Sequence, residues 1–107
     1  MPADKAGGYV GAMDTDTERR RQRVLAAFLR DGRLTAIPAR AAKRQVVLEH
    51  VVSVFEPGVR FTEKEVDAAL RAFYEHDWVS LRRHLVDAGL LARDGGRYWR
   101  TGGYVDV

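Results

Sequence analysis

Between Arg60 and Arg100 the chain reads RFTEKEVDAALRAFYEHDWVSLRRHLVDAGLLARDGGRYWR, and few folds accommodate that order of signals. Thr62 followed three residues later by Glu65 is a capping box, in which each side chain accepts an otherwise unpaired backbone N–H at a helix start. Val66, Ala69, Leu70 and Phe73 then recur at helical spacing, while Glu63, Lys64, Asp67 and Arg71 fall on the other face. The pattern breaks between Tyr74 and His76, and Asp77 caps a second helix predicted over about Trp78–Ala88. On a wheel of about 100° per residue, Trp78, Leu81, Leu85 and Ala88 share one side. Val79 and Val86 lie on a neighbouring side, and Ser80, Arg83, His84 and Asp87 face away. Arg82 falls between the two apolar groups, a place that suits an ion pair with an acid of the preceding helix better than a partner outside the protein. Gly89 ends the helix as a left-handed C′ residue.

Beyond it, Leu90–Ala92 and Arg97–Arg100 read as two strands joined through Asp94-Gly95-Gly96. Neighbours in a strand point to opposite sides, so at most one of Tyr98 and Trp99 faces the core. Helix, tight connection, helix and hairpin are the grammar of a winged helix-turn-helix. The expected fold is therefore mainly α with a small β-hairpin, of that winged type.

The chain ahead of this stretch supplies the rest of one domain. Residues 1–17 are rich in Gly, Ala and Asp without periodicity and are expected to be a disordered leader. The predicted domain covers residues 18–101, with a short tail at 102–107. Its first helix starts near Thr17, carries Val24, Leu25, Phe28 and Leu29 as its apolar positions, and stops by Gly32. Arg33–Ile37 reads as extended, because Ile37 precedes a proline, and Pro38 suits the first turn of the next helix. That helix, over about Ala39–Phe55, presents Val47, Leu48, Val51, Val54 and Phe55 and is the expected core helix. Its run of valines makes a strand the competing reading for Val46–Val54, but a 3.6-residue period fits and alternation does not. Pro57 and Gly58 close it.

A length of 107 residues, 46% of them hydrophobic, allows one small core. The absence of cysteine excludes a disulfide scaffold and any cysteine-based zinc site. No apolar run approaches a membrane span and no secretory h-region opens the chain, so the cytoplasm is the expected location and no membrane partner is expected.

Charge is segregated along the chain. Residues 18–45 hold nine Lys or Arg and two acids, a local +7, whereas residues 46–77 hold three bases and seven acids, a local −4. A one-sided electrostatic surface suits anionic partners, although solvated helix faces also carry charge. Arg40, Lys43 and Arg44 share a face at the positive end of a helix dipole, which disfavours cations. Two explanations fit: a phosphate site built with the free N–H groups of the helix start, or ion pairs with Glu49, Glu56 or Asp31. Arg93 and Arg97 flank the hairpin turn, and with Arg100 beyond them they suit phosphate or minor-groove contact. Ser80 and Arg83 are the candidates for base edges. Against DNA stand Glu63, Glu65, Asp67 and Glu75, on a helix that crosses close to the phosphate backbone in a helix-turn-helix.

His50, His76 and His84 are too scattered for metal-ligand spacing, and no Walker loop, GxSxG or HExxH occurs, so neither catalysis nor a metal or cofactor is expected.

The segments FLRDGRLTAIPARAAKRQVVLEHVVSVFEPGVRFTEKEV and WVSLRRHLVDAGLLARDGGRYWR resemble a bacterial family catalogued as a domain of unknown function, DUF2087. The resemblance runs from Phe28 to about Arg100. It rests on the Gly32–Pro38 segment, the FEPG ahead of the capping box, and the LRRHLVDAGLLAR block with Tyr98-Trp99-Arg100. Members are often labelled transcriptional regulators, some with an ArsR-like DNA-binding domain in front. The resemblance thus implies a regulatory setting and supplies no site residues. Two functions are expected from these readings. The first is a DNA-binding regulator; the second is a protein-interaction or homodimerisation module on the same fold, without DNA binding.

Overall fold

Val47, Leu48, Val51 and Val52 lie buried along one face of a helix, and the rest of the protein packs around them. The computed structural model describes residues 3–102, with side chains from residue 15 onward. Its elements are α1 (Ala3–Phe28), β1 (Leu29–Arg30), β2 (Arg33–Leu34), α2 (Ala41–Val52), β3 (Arg60–Thr62), α3 (Glu63–Phe73), α4 (Trp78–Asp87), β4 (Leu91–Asp94) and β5 (Arg97–Arg100). The described part is mixed α/β, four helices with two small antiparallel sheets. No helix among the described residues is long and apolar enough to cross a membrane.

The valine-rich segment is helical, because Val47, Leu48, Val51 and Val52 meet the core together only at a helical period. The regular helix stops at Val52 rather than Phe55. The N–H groups of Ser53, Val54 and Phe55 bond three residues back, to His50, Val51 and Val52, so the last turn tightens. Phe55 is still buried, edge-on to Phe61 with ring centroids 5.3 Å apart. Val54 points the other way and is 52% exposed, which corrects its assignment to the apolar face.

Two departures precede α2. The first helix begins at Ala3, well ahead of Thr17, and thus runs through most of the stretch expected as a leader. Extending an existing helix fixes one residue per bond gained, without a new nucleus. The same helix ends at Phe28, and the chain folds straight back in a hairpin that pairs Leu29 with Leu34 and Arg30 with Arg33. Asp31 and Gly32 occupy its turn with φ of 54° and 80°, the left-handed pair that a two-residue hairpin loop requires. Gly32 therefore turns a hairpin instead of ending a helix, and Leu34 is buried as a result.

The second sheet has the order β3-β5-β4. β5 pairs with β4 across Gly95-Gly96 and with β3 on its other edge, where Phe61 opposes Tyr98. Three residues ahead of a capping box are too few for a strand pattern, so β3 is not legible in the sequence. The strand starts α3 directly: the Glu65 N–H donates to the Thr62 hydroxyl at 3.1 Å, and the Thr62 N–H donates to the Glu65 carboxylate at 2.8 Å. α4 is capped by Asp77, which accepts the Ser80 N–H at 3.1 Å. Val66, Leu70, Leu81, Leu85 and Tyr98 complete the core, and Trp99 faces away from it beneath the Arg60 guanidinium at 4.2 Å. Of the expected tail, residues 103–107 lie outside the described residues; Thr101 is tied to Leu90 and Gly89 through their carbonyls.

Candidate nucleic-acid interface

The acids of α3 are largely engaged within the protein. The Arg82 guanidinium, reaching back from α4, donates to the Asp67 carboxylate and lies 3.7 Å from that of Glu63. Burial opposes the Arg82 charge, but the hydrogen bond it donates to Asp67 and the attraction of both carboxylates outweigh it and hold the guanidinium protonated. The Tyr98 hydroxyl donates to Glu63 at 3.2 Å, and burial keeps that phenol protonated, raising its pKa above the usual value. Glu65 is taken by the capping box. Three of the four acids that weigh against DNA therefore have partners inside the fold, and the ion pair read for Arg82 is present.

Beside these groups, a cleft of about 300 Å³ opens between α4 and the β4–β5 hairpin. Val79, Arg82, Arg83, Val86 and Asp87 line it from the helix, Arg93 and Tyr98 from the hairpin. Arg93 lies 5.7 Å from the centroid of the Tyr98 ring and is otherwise exposed, so its charge remains available to an anion. Arg83 is exposed one turn beyond Val79. The cleft thus has cations on both walls, with the Asp87 carboxylate and the apolar Val79 and Val86 also on the helix side.

The candidate residues separate into three groups. Arg83 and Arg93 meet at the cleft. Arg97 is exposed at the hairpin end, opposite Asp94 and Thr62 in the sheet. Arg40, Lys43 and Arg44 belong to the start of α2 and do not line the cleft. Among the described residues none of these three forms an ion pair, so the internal salt-bridge explanation of that cluster fails; Glu49 is engaged instead by Arg21 at 3.4 Å and Gln45 at 3.0 Å. Arg40 and Lys43 are exposed, and the first turn of α2 carries no acid. Arg44 folds back and donates to the Pro38 and Ala39 carbonyls, at 3.3 and 2.9 Å, which makes it part of the loop that enters α2.

Ser80 is more occupied than the helical wheel suggests. Its hydroxyl donates to Asp77 at 2.6 Å, completing the α4 cap. That bond and the one from the Ser80 N–H hold the Asp77 carboxyl below its ordinary range. Arg100, too, is drawn inward, to the carbonyls of Phe55 and Gly102. The residue missed by the pattern is Val79. The wheel groups it with the apolar sides, yet it is 45% exposed at the first turn of α4. A hydrophobe next in sequence to Trp78, which is half-buried under the Arg71 guanidinium at 4.3 Å, gave no sequence signal of being uncovered.

Searches of curated proteins and of solved structures each give no significant match. A family model does match, over residues 33–100, and its description is "Uncharacterized protein conserved in bacteria (DUF2087)". The matched span takes in β2 through β5, and with it the α4–hairpin cleft and the start of α2. By this match over most of its length, the chain belongs to the bacterial DUF2087 family.

Proposed function

We propose that this protein is a DNA-binding regulator of transcription built on a winged helix. In this reading α3 and α4 form the helix-turn-helix, α4 enters the major groove and the β4–β5 hairpin is the wing. The strand β3 between α2 and α3, and the sheet order β3-β5-β4, agree with such a fold. The observation that carries the reading is the cleft at which Arg83 and Arg93 face one space, while Arg82 beside it pairs with the α3 carboxylates of Asp67 and Glu63 and offsets one of their two charges. Arg83 lies toward the bases, and Arg93 and Arg97 meet phosphates along the wing. Arg40 and Lys43 add phosphate contacts at the start of α2, beside its unpaired N–H groups. Ser80 keeps oxygen lone pairs for a base or phosphate donor while its proton stays on Asp77.

Titration of the purified protein into labelled duplex DNA of mixed sequence, at two salt concentrations, tests this. Phosphate contacts release counterions, so binding is expected to weaken steeply as salt rises. Absence of binding at low salt defeats the proposal. The second reading, a protein-interaction module, draws on exposed Val54 and Val59 at either end of the α2–β3 connection, at 52% and 37% exposure. It takes precedence if DNA binding is absent.

A further inference from the structure

An exposed valine on a short helix gains nothing from burial and little from helix propensity. Val79 sits at the second position of α4, where a β-branched side chain has lower helix propensity than most and where its neighbours Leu81 and Leu85 turn into the core without it. One helical turn on, Arg83 is exposed and makes no ion pair at contact distance among the described residues, with a longer-range attraction to the Asp77 carboxylate, whereas Arg82 beside it pairs with two acids. Val79 and Arg83 line the same cleft. The first turns of a reading helix are the part that reaches base edges. In the major groove the sole apolar feature is the thymine C5-methyl, and the edge that best accepts a guanidinium fork is guanine O6 and N7.

We infer that Val79 and Arg83 form a two-residue base reader, Val79 for a thymine methyl and Arg83 for a guanine. The inference rests on the DNA-binding reading above and adds to it which bases are selected. Four residues of helix advance about 6 Å, against about 3.4 Å per base step, so the thymine and the guanine lie within about two steps of each other. Arg93, on the opposite wall of the cleft, meets the phosphate backbone bordering that step.

The test starts from a random duplex pool, from which the intact protein selects sites. A thymine and a guanine within two steps are expected in the enriched sequence. Replacing that thymine by uracil removes only the methyl group and is expected to weaken binding about fourfold, the worth of one buried methyl. Val79→Ala, which keeps one methyl, is expected to narrow the preference for thymine over uracil, with an unchanged circular dichroism spectrum because Val79 is not in the core. Replacing the guanine by 7-deazaguanine is expected to cost about tenfold with the wild type and little with Arg83→Ala. Salt-sensitive binding with no enriched site, or a uracil penalty undiminished in Val79→Ala, overturns the inference and leaves the DNA-binding reading standing. No duplex binding at low salt overturns both.

Discussion

Arg82 occupies a position on the α4 wheel where packing alone calls for a hydrophobe, and it works there because two acids of α3 and the Tyr98 ring are within reach. Removing it strands Asp67 and Glu63 without a cation, and hydrogen bonds to charged groups contribute about 1.5–3 kcal/mol each. Arg82→Ala is therefore expected to lower unfolding free energy by about 1–3 kcal/mol in urea titrations; a variant as stable as the wild type contradicts the role. His50 carries a different signal. It packs edge-on to Phe73 with centroids 6.1 Å apart, and burial, with the nearby Arg21 charge, lowers its pKa from 6.5. The native state thus holds the neutral imidazole, while the unfolded chain takes up a proton more readily. Stability is expected to be full above about pH 6.5 and to decline as pH falls below it. Asp77 titrates at lower pH, beneath its ordinary value of 3.8, so a melting series from pH 7 to 5 isolates His50. In His50→Gln that slope is expected to flatten.

The two hairpins share a turn chemistry but not a charge arrangement. Gly95 and Gly96 carry φ of 58° and 80°, as Asp31 and Gly32 carry 54° and 80°, so both loops have the same left-handed pair. Across the second turn Asp94 faces Arg97, an opposite-charge pair; across the first, Arg30 faces Arg33. Like charges directly opposed in an antiparallel pair are destabilising, by about 0.2–1 kcal/mol. Arg33→Glu is expected to raise thermal stability by that amount at low salt, and the gain is expected to shrink as salt screens the pair. An unchanged or lowered melting temperature at low salt counts against the cross-strand repulsion. The α3 and α4 caps, by contrast, are fully local devices. Their donors and acceptors lie three residues apart, which is why Thr62/Glu65 and Asp77/Ser80 can be read from spacing and appear in the structure with the expected partners.

Across the molecule, the basic residues of the N-terminal half do different kinds of work. Arg40 and Lys43 are exposed and form no ion pair among the described residues, whereas Arg44 closes on the carbonyls of Pro38 and Ala39 and Arg21 bridges to Glu49 on α2. If DNA is the partner, Arg40→Ala with Lys43→Ala is expected to reduce the salt slope of binding by about 0.9 for each phosphate that the variant no longer neutralises. Arg44→Ala is expected to register mainly as reduced stability, because two carbonyls of the entry loop then go without their donor. Equal effects of the two changes on the salt slope defeat that division. A formal charge of +3 says little about such a division, since the partners of each guanidinium depend on which helix faces it.

The capping box of α3, the Asp77 cap of α4, the glycine turn of the β4–β5 hairpin, the helical period through the valines of α2 and the internal ion pair of Arg82 were all legible in the chain, because each depends on groups close in sequence or on a face that a period defines. The Asp31-Gly32 hairpin was equally local, yet two-residue strands gave no alternation to accompany its turn. β3 needed β5 beside it before its three residues counted as a strand. The site was divided in the same way. Arg83 and Arg93 were visible as cations, but their meeting across one cleft, the sharing of Arg82 by Glu63 and Asp67, and the uncovering of Val79 arise from α3, α4 and the hairpin packing together. Spacing along a chain specifies what a residue does to its near neighbours; which charges are compensated and which apolar groups stay open depends on how segments far apart in sequence pack together.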